Sequence, residues 1–148
     1  MRLKAQLIWL LLGLLGLAAC GPDAAPVKGV STDIKITYQR QGGVTGITQE
    51  WEIYPDGRIV GSGGQELQVP PQQVISLLAE AAQLQSSSLQ DTYVSDDACC
   101  DQFIYTVIVQ VGDQETMIQT SDTAEQPEQL TSLLTGIEDL ISNAEPIK

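Results

Sequence analysis

Short segments that alternate apolar and polar side chains, joined by glycine-containing turns, constrain the fold of this chain most. Residues 33–40 alternate in this way, and residues 47–54 repeat the pattern after the glycine-rich stretch 41–46. A two-residue period is typical of a strand with one buried face, and a short loop lets two such strands pair as an antiparallel hairpin. The first part of the domain is therefore predicted to form a sheet.

Two later segments repeat their apolar residues at helical spacing instead. The first begins at Pro70-Pro71 and the second follows Pro127, and proline is tolerated in the first turn of a helix. Each segment has one apolar stripe, which is typical of a helix that packs by one face. The stripe residues are Val74, Leu77, Leu78, Ala81 and Leu84 in the first, and Leu130, Leu133, Leu134, Ile137, Leu140 and Ile141 in the second.

The remaining strands complete the order β-β-β-(β)-α-β-β-α. A third strand is predicted at 58–62 and a small optional one at 65–69, and two more at 102–111 and 115–120 follow the first helix. The segment 102–111 is apolar on both faces, which favours a central strand. We predict an α+β fold with an antiparallel sheet of four to five strands and both helices packed on one face.

The N-terminal residues indicate a secretory signal. Arg2 and Lys4 precede an apolar run that ends in Leu17-Ala18-Ala19-Cys20. A cationic head, an apolar run and a small-residue cleavage site are typical of such signals. The ending resembles a bacterial lipobox, which implies that Cys20 is acylated and becomes the first mature residue. The alternative is a plain membrane anchor, but the run is shorter than the roughly 20 residues that span a bilayer.

This interpretation divides the chain into three parts. Residues 1–19 form the lipoprotein signal peptide, residues 20–31 the lipidated cysteine with a flexible, proline-broken tether, and residues 32–148 a single globular domain. We therefore expect a protein of the bacterial cell envelope, anchored by acyl chains on the extracytoplasmic side of a membrane.

The charge is strongly acidic, with 7 basic residues, 19 acidic residues and a formal net charge of −12. Loss of Arg2 and Lys4 with the signal would bring the charge to −14. Such a surface repels phosphate backbones, which excludes nucleic acid as a partner, and it repels anionic lipids, so the membrane contact must come from Cys20. The acidity serves either solubility or steering toward a cationic partner.

Catalytic patterns are scarce in the sequence. It contains no histidine, which removes Ser-His-Asp and Cys-His catalysis and the usual zinc sites. Gly61-Ser62-Gly63-Gly64 opens no helix, so it is a poor phosphate site. Glu50 and Glu52 could form a carboxylate pair for glycoside hydrolysis, but a solvated strand face is the simpler interpretation. We predict no enzymatic activity and no cofactor.

The segment Asp96–Asp101 surrounds an adjacent pair, Cys99 and Cys100. Its carboxylates lack the glycine-punctuated spacing of a calcium loop, and the two thiolates could supply only two ligands to a soft metal. Neighbouring Cα atoms lie about 3.8 Å apart, which is short for a disulfide and would leave it strained and easily reduced. A structural pair, oxidised or reduced, is favoured over a redox centre, and no metal is predicted.

The loop after the first strand is the best candidate for partner binding. Its residues are Gly42, Gly43, Val44, Thr45 and Gly46. The glycines allow unusual backbone angles and close approach of a partner. A simple flexible turn is the alternative.

Three motifs in order resemble the emfourin-like inhibitors of thermolysin-like metalloproteases, from about Asp33 to Asn143. They are Gly42-Gly43-x-x-Gly46 after a strand, Asp101-x-Phe103-x-Tyr105 entering an alternating strand, and Pro127-x-x-Leu130 opening the last helix. The resemblance implies a small α+β protein that binds a protease and has no catalysis of its own.

The chain departs from the family pattern in its lipoprotein signal and in Cys99-Cys100. Phe103 and Tyr105 also have a simpler interpretation as core residues, and Asp101 as a cap of the preceding loop. The leading hypothesis is a lipid-anchored, non-catalytic inhibitor of a secreted or envelope metalloprotease. The alternatives are a structural or assembly lipoprotein that binds another protein, and thiol chemistry at the two cysteines.

Overall fold

The computed structural model describes residues 33–94 and 101–147. In these residues the chain forms seven strands and two helices in one α+β unit. The elements are β1 (Ile34–Gly42), β2 (Ile47–Ile53), β3 (Arg58–Gly61), β4 (Glu66–Gln68), α1 (Pro71–Gln85), β5 (Phe103–Val111), β6 (Gln114–Ser121), α2 (Glu128–Ser142) and β7 (Glu145–Pro146). The strands make a single sheet in the order β6-β5-β1-β2-β3-β4-β7, and each neighbouring pair is antiparallel.

The predicted α+β class, with two helices and an antiparallel sheet, is confirmed. The predicted count of four to five strands is wrong because it is too low. The optional strand at 65–69 is real as β4, and β7 adds two residues that pair with it. A two-residue strand has no measurable period, so no alternation could have indicated β7.

The core lies against one face of the sheet. In the register, Ile36 stands opposite both Ile53 and Val109, and alternate residues of a strand share a face. The buried residues of both helices belong to the same apolar cluster as these strand residues. All five predicted stripe residues of α1 are buried, and so are five of the six in α2, with Ile141 half-buried.

The two helices are tied to each other and to the sheet by close contacts. A Cβ placed on Gly136 of α2 would lie 2.8 Å from Leu77 Cδ1 of α1, so the missing side chain lets the helices approach. The side-chain amide of Gln85, at the end of α1, donates a hydrogen bond to the backbone carbonyl of Val109 in β5 at 2.9 Å.

Short segments cover part of both outer edges of the sheet. The Tyr93 amide donates to the Gln119 carbonyl at 2.8 Å, and the Gln119 amide donates to the Asp91 carbonyl at 2.9 Å. On the opposite side β7 pairs with β4. Partly covered or very short edges discourage pairing with another chain.

Several predicted features lie outside the described residues. They are the signal peptide, Cys20 and its tether, and the segment with Cys99 and Cys100. Within residues 33–94 and 101–147, neither helix combines the length and the apolar character needed to cross a membrane.

Candidate functional site

The hairpin loop (Gly42–Gly46) joins β1 and β2 at one end of the sheet. The Gly43 amide donates to the Gln102 carbonyl at 3.1 Å, and the Gly46 amide donates to the Gly43 carbonyl at 3.0 Å. The first bond ties the loop to the residue just before β5, and the second closes the turn itself. The three glycines take φ values of +118°, +70° and +62°, which L side chains rarely adopt.

Phe103 supports the hairpin loop from the face of the sheet that carries the buried residues Ile36 and Val109. A Cβ on Gly43 would lie 2.7 Å from Phe103 Cζ, so the ring fits only because Gly43 has no side chain. The core interpretation holds for Tyr105, which packs against the core, but not for the half-buried Phe103, which lies outside that cluster. Asp101 is exposed, two residues before Phe103.

Two apolar side chains face solvent at this end of the sheet. Val44 at the loop tip is 85% exposed, and Ile47 at the start of β2 is 43% exposed. The alternation in residues 47–54 predicts that Ile47 faces inward together with Trp51 and Ile53. The register confirms that the three share a face, but Ile47 is exposed and not buried. The core ends before this point, because the partner of Ile47 on β1 is Gly42, which has no side chain to cover it.

The guanidinium group of Arg40 lies close to two aromatic rings near the hairpin loop. The guanidinium carbon of Arg40 is 3.9 Å from the ring centroid of Phe103 and 5.9 Å from that of Tyr105. Tyr105 in turn stacks on Tyr38 with 6.3 Å between centroids. A partly desolvated cation–π contact stabilises by about 1 kcal/mol. Sequence reasoning missed Arg40, although its spacing from Tyr38 places it on the apolar face of β1.

A concave site of about 290 Å³ opens beside these rings, between the sheet and the last turns of α2. We call it the arginine pocket. Its lining residues are Tyr38, Arg40, Gln49, Trp51, Glu138, Ile141 and Ser142.

Tyr38 connects the two walls of the arginine pocket. Its hydroxyl donates to Glu138 Oε1 at 2.8 Å across the boundary between β1 and α2. Burial of the ring, and then this bond to a carboxylate, raise the pKa of Tyr38 far above its ordinary value. Tyr38 is therefore a fixed hydrogen-bond donor, with no role as an acid or base near neutral pH.

The candidate carboxylate pair lies on the other face of the sheet. Glu52 accepts bonds from the Lys35 ammonium and the Tyr54 hydroxyl, both at 2.7 Å. Glu50 accepts a bond from the Gln39 amide at 2.7 Å. The Lys35 bond is the largest influence on Glu52 and lowers its pKa, which is opposite to what a general acid needs. The pair is best explained as a strand face with satisfied hydrogen bonds.

This ion pair gives a prediction for pH-dependent stability. Because the pKa of Glu52 is lowered on folding, its contribution is present above the unfolded value and lost as pH falls through the folded value. We expect Glu52→Gln to reduce the free energy of unfolding by about 0.5 kcal/mol at pH 7, as is usual for a pair this exposed. Urea titrations should show the unfolding free energies of the variant and the parent converging as the pH is lowered.

Glu50→Gln serves as the control, because it removes a carboxylate from the same strand face but no ion pair within the described residues. A difference between parent and variant that stays constant as the pH is lowered into the acid range would contradict the assignment.

Metal ligands are not gathered in the part of the chain that the structure describes. In residues 33–94 and 101–147, no group of three or more His, Cys, Asp or Glu side chains could hold an ion. The site there is instead an exposed loop tip beside a pocket of aromatic and charged side chains. No family model and no curated protein matched this chain.

Proposed function

We propose that this chain is a lipid-anchored, non-catalytic envelope protein that inhibits a thermolysin-like metalloprotease by placing the hairpin loop in its cleft. The observation that carries the proposal is the loop itself. Its tip residue Val44 is 85% exposed, while the glycines on either side are fixed by backbone hydrogen bonds and by the Phe103 ring.

A fixed loop suits inhibition because little conformational freedom remains to be lost on binding. Ordering a flexible loop at an interface costs free energy that subtracts from affinity. Here the bond from Gly43 to Gln102 and the contact with Phe103 hold the loop before any partner arrives. No covalent step is needed, which is compatible with a sequence that contains no histidine.

The proposal includes a two-layer scaffold with both helices on one face of the sheet. Two observations support it: the buried residues of both helices share one apolar cluster with Ile36 and Val109, and the Tyr38 hydroxyl of β1 donates to Glu138 of α2. Tyr38 and Val109 lie on the face that also carries Ile36. Such a scaffold would hold β1 and β2 rigidly and leave their shared loop free at the sheet end.

Acyl chains on Cys20 would restrict the inhibitor to the extracytoplasmic side of a membrane. The sequence resemblance to a lipobox supports this part of the proposal. The tether 20–31 would let the domain reach a protease near the surface, since a flexible segment of this composition extends well beyond the bilayer headgroups.

The direct test is an inhibition assay with the full-length chain in an uncharged detergent. We expect a stoichiometric excess to suppress peptide hydrolysis by at least one thermolysin-class enzyme, and to leave a serine protease unaffected. The measurement is the initial rate of cleavage of a fluorogenic peptide. Unchanged hydrolysis across several metalloproteases of this class would remove the proposal.

A further inference from the structure

Arg40 stands apart from the other cations in the structure. The described residues contain three basic side chains. Lys35 pairs with Glu52 at 2.7 Å, and Arg58 lies 4.0 Å from Asp56. Within residues 33–94 and 101–147, Arg40 makes no ion pair, and its Nε is buried without a hydrogen-bond partner.

A half-buried guanidinium without an anion is costly to maintain. A buried donor that has no partner loses its hydrogen bonds with water and gains none in return, and stacking on aromatic rings offsets only part of this cost. A chain with 19 acidic residues has many carboxylates, yet within residues 33–94 and 101–147 none forms an ion pair with Arg40. Glu138, on the helical wall of the same pocket, accepts a hydrogen bond from Tyr38 instead. The guanidinium of Arg40 is therefore available to pair with an anion from another molecule.

The stacking on Phe103 also fixes the orientation of Arg40. A guanidinium carbon 3.9 Å from the ring centroid leaves the planar group little freedom to turn. Arginine recognises a carboxylate through paired N–H groups of this planar fork. A fork held in place before binding loses less side-chain entropy when the carboxylate arrives.

The arginine pocket adjoins the hairpin loop. Arg40 and Gly42 lie on the same face of β1, two residues and roughly 7 Å apart. Trp51 and Ile141 supply apolar walls, and Gln49 supplies an amide. Arginine, tryptophan and tyrosine are enriched among residues that dominate protein interfaces. A protein seated on the loop tip would therefore also cover this pocket.

We propose that the arginine pocket receives an acidic side chain, a single aspartate or glutamate carboxylate, from the protein that the hairpin loop engages. That the protein is a metalloprotease rests on the proposed function. The carboxylate preference is a property of the pocket and can be measured without any protease.

Glu138 limits the pocket to one carboxylate. Its Oε1 is occupied by the Tyr38 hydroxyl, and its negative charge on the helical wall opposes a second anion. This gives the proposal a distinctive signature. Neutralising Glu138 should strengthen carboxylate binding, whereas neutralising Arg40 should abolish the preference for it.

The experiment uses the unprocessed full-length chain, which retains residues 1–19 and therefore both tryptophans of the sequence. Trp9→Phe leaves Trp51 as its single tryptophan. Uncharged detergent keeps the chain in solution. The probes are the blocked dipeptides acetyl-Phe-Glu-amide and acetyl-Phe-Gln-amide, which differ only in the carboxylate. The readouts are the NMR signals of the Trp51 indole N–H and the Arg40 Nε–H during titration.

We expect the acidic peptide to shift both signals and to bind roughly tenfold more tightly than its neutral twin, as one charge-assisted bidentate pair allows. Arg40→Gln should erase that difference, Arg40→Lys should keep only part of it, and Glu138→Gln should increase it. Arg58→Gln, which removes a cation on another strand, should leave it unchanged.

Equal binding of the two peptides, no shift with either, or a preference that survives in Arg40→Gln would overturn the carboxylate site. A drop in affinity for the acidic peptide on Glu138→Gln would also overturn it, because removing a negative charge from the pocket wall must favour a carboxylate that is bound there by Arg40. Failure of protease inhibition with an intact peptide preference would instead reject the metalloprotease and keep the pocket.

Discussion

Gly42→Ala is expected to lower the free energy of unfolding by about 2–4 kcal/mol, from backbone strain together with a steric clash. Gly42 has φ of +118°, a region that L residues rarely enter. A Cβ there would overlap the carbonyl oxygen of Gln102, which already accepts the bond from Gly43. The variant must shift β1 from β5 at the base of the loop. Urea unfolding followed by Trp51 fluorescence, in the Trp9→Phe background, measures the change.

Gly46→Ala is the matched control for this prediction. Gly46 has φ of +62°, and a Cβ there would meet no atom within 4 Å. Only the left-handed backbone penalty remains, so the expected loss is about 1 kcal/mol. Equal losses in the two variants would show that the base of the loop relaxes freely, and would contradict the rigid loop on which the proposed inhibition depends.

Both helices could be predicted from sequence because each carries two independent signals. A proline marks the first turn, and an apolar stripe at helical spacing continues for about four turns. The structure starts α1 at Pro71 and α2 at Glu128. The stripe residues become the helical part of the core, so local pattern and tertiary packing agree.

In the strands, the alternating pattern predicts which face a residue lies on but does not predict whether it is buried. Alternation predicts that Ile47 shares a face with Trp51 and Ile53, and Phe103 with Tyr105 and Val107. The strand register agrees, but alternation could not show where the core ends along that face. Ile47 and Phe103 lie beyond the buried region, one exposed and one half-buried. The extent of the core depends on where the helices end, which is a tertiary property.

Only one of the two parts of the candidate site could be predicted from the sequence. The hairpin loop could be predicted, because glycine spacing is a local signal for a turn with positive φ. The arginine pocket could not be predicted, because its walls come from distant parts of the chain. Tyr38 and Arg40 belong to β1 and Glu138 belongs to α2, and Tyr38 and Glu138 are 100 positions apart. Only the spacing of Arg40 from Tyr38 hinted that a cation occupies the apolar face.

Val44→Asp is expected to weaken protease inhibition by about 30-fold, or about 2 kcal/mol, the usual loss at a residue central to an interface. Val44 is the most exposed large apolar side chain in the described residues, at 85%, and it lies at the tip of the loop that would enter the cleft. A charge there must be desolvated on binding, which costs free energy. The inhibition constant from titrations of peptide hydrolysis measures the effect, and folding should be unchanged because the side chain contacts little.

Met117→Asp provides the same change at a second exposed apolar residue. Met117 is 54% exposed and lies on β6 opposite Ile108, on the face of the sheet that does not carry Ile36. Its substitution should leave inhibition unaltered, because Ile108 lies five residues along β5 from Phe103, roughly 17 Å from the hairpin end of the sheet. If both aspartates weaken inhibition equally, the added negative charge acts through long-range repulsion. If neither does, the contact surface lies elsewhere and the loop does not enter the cleft.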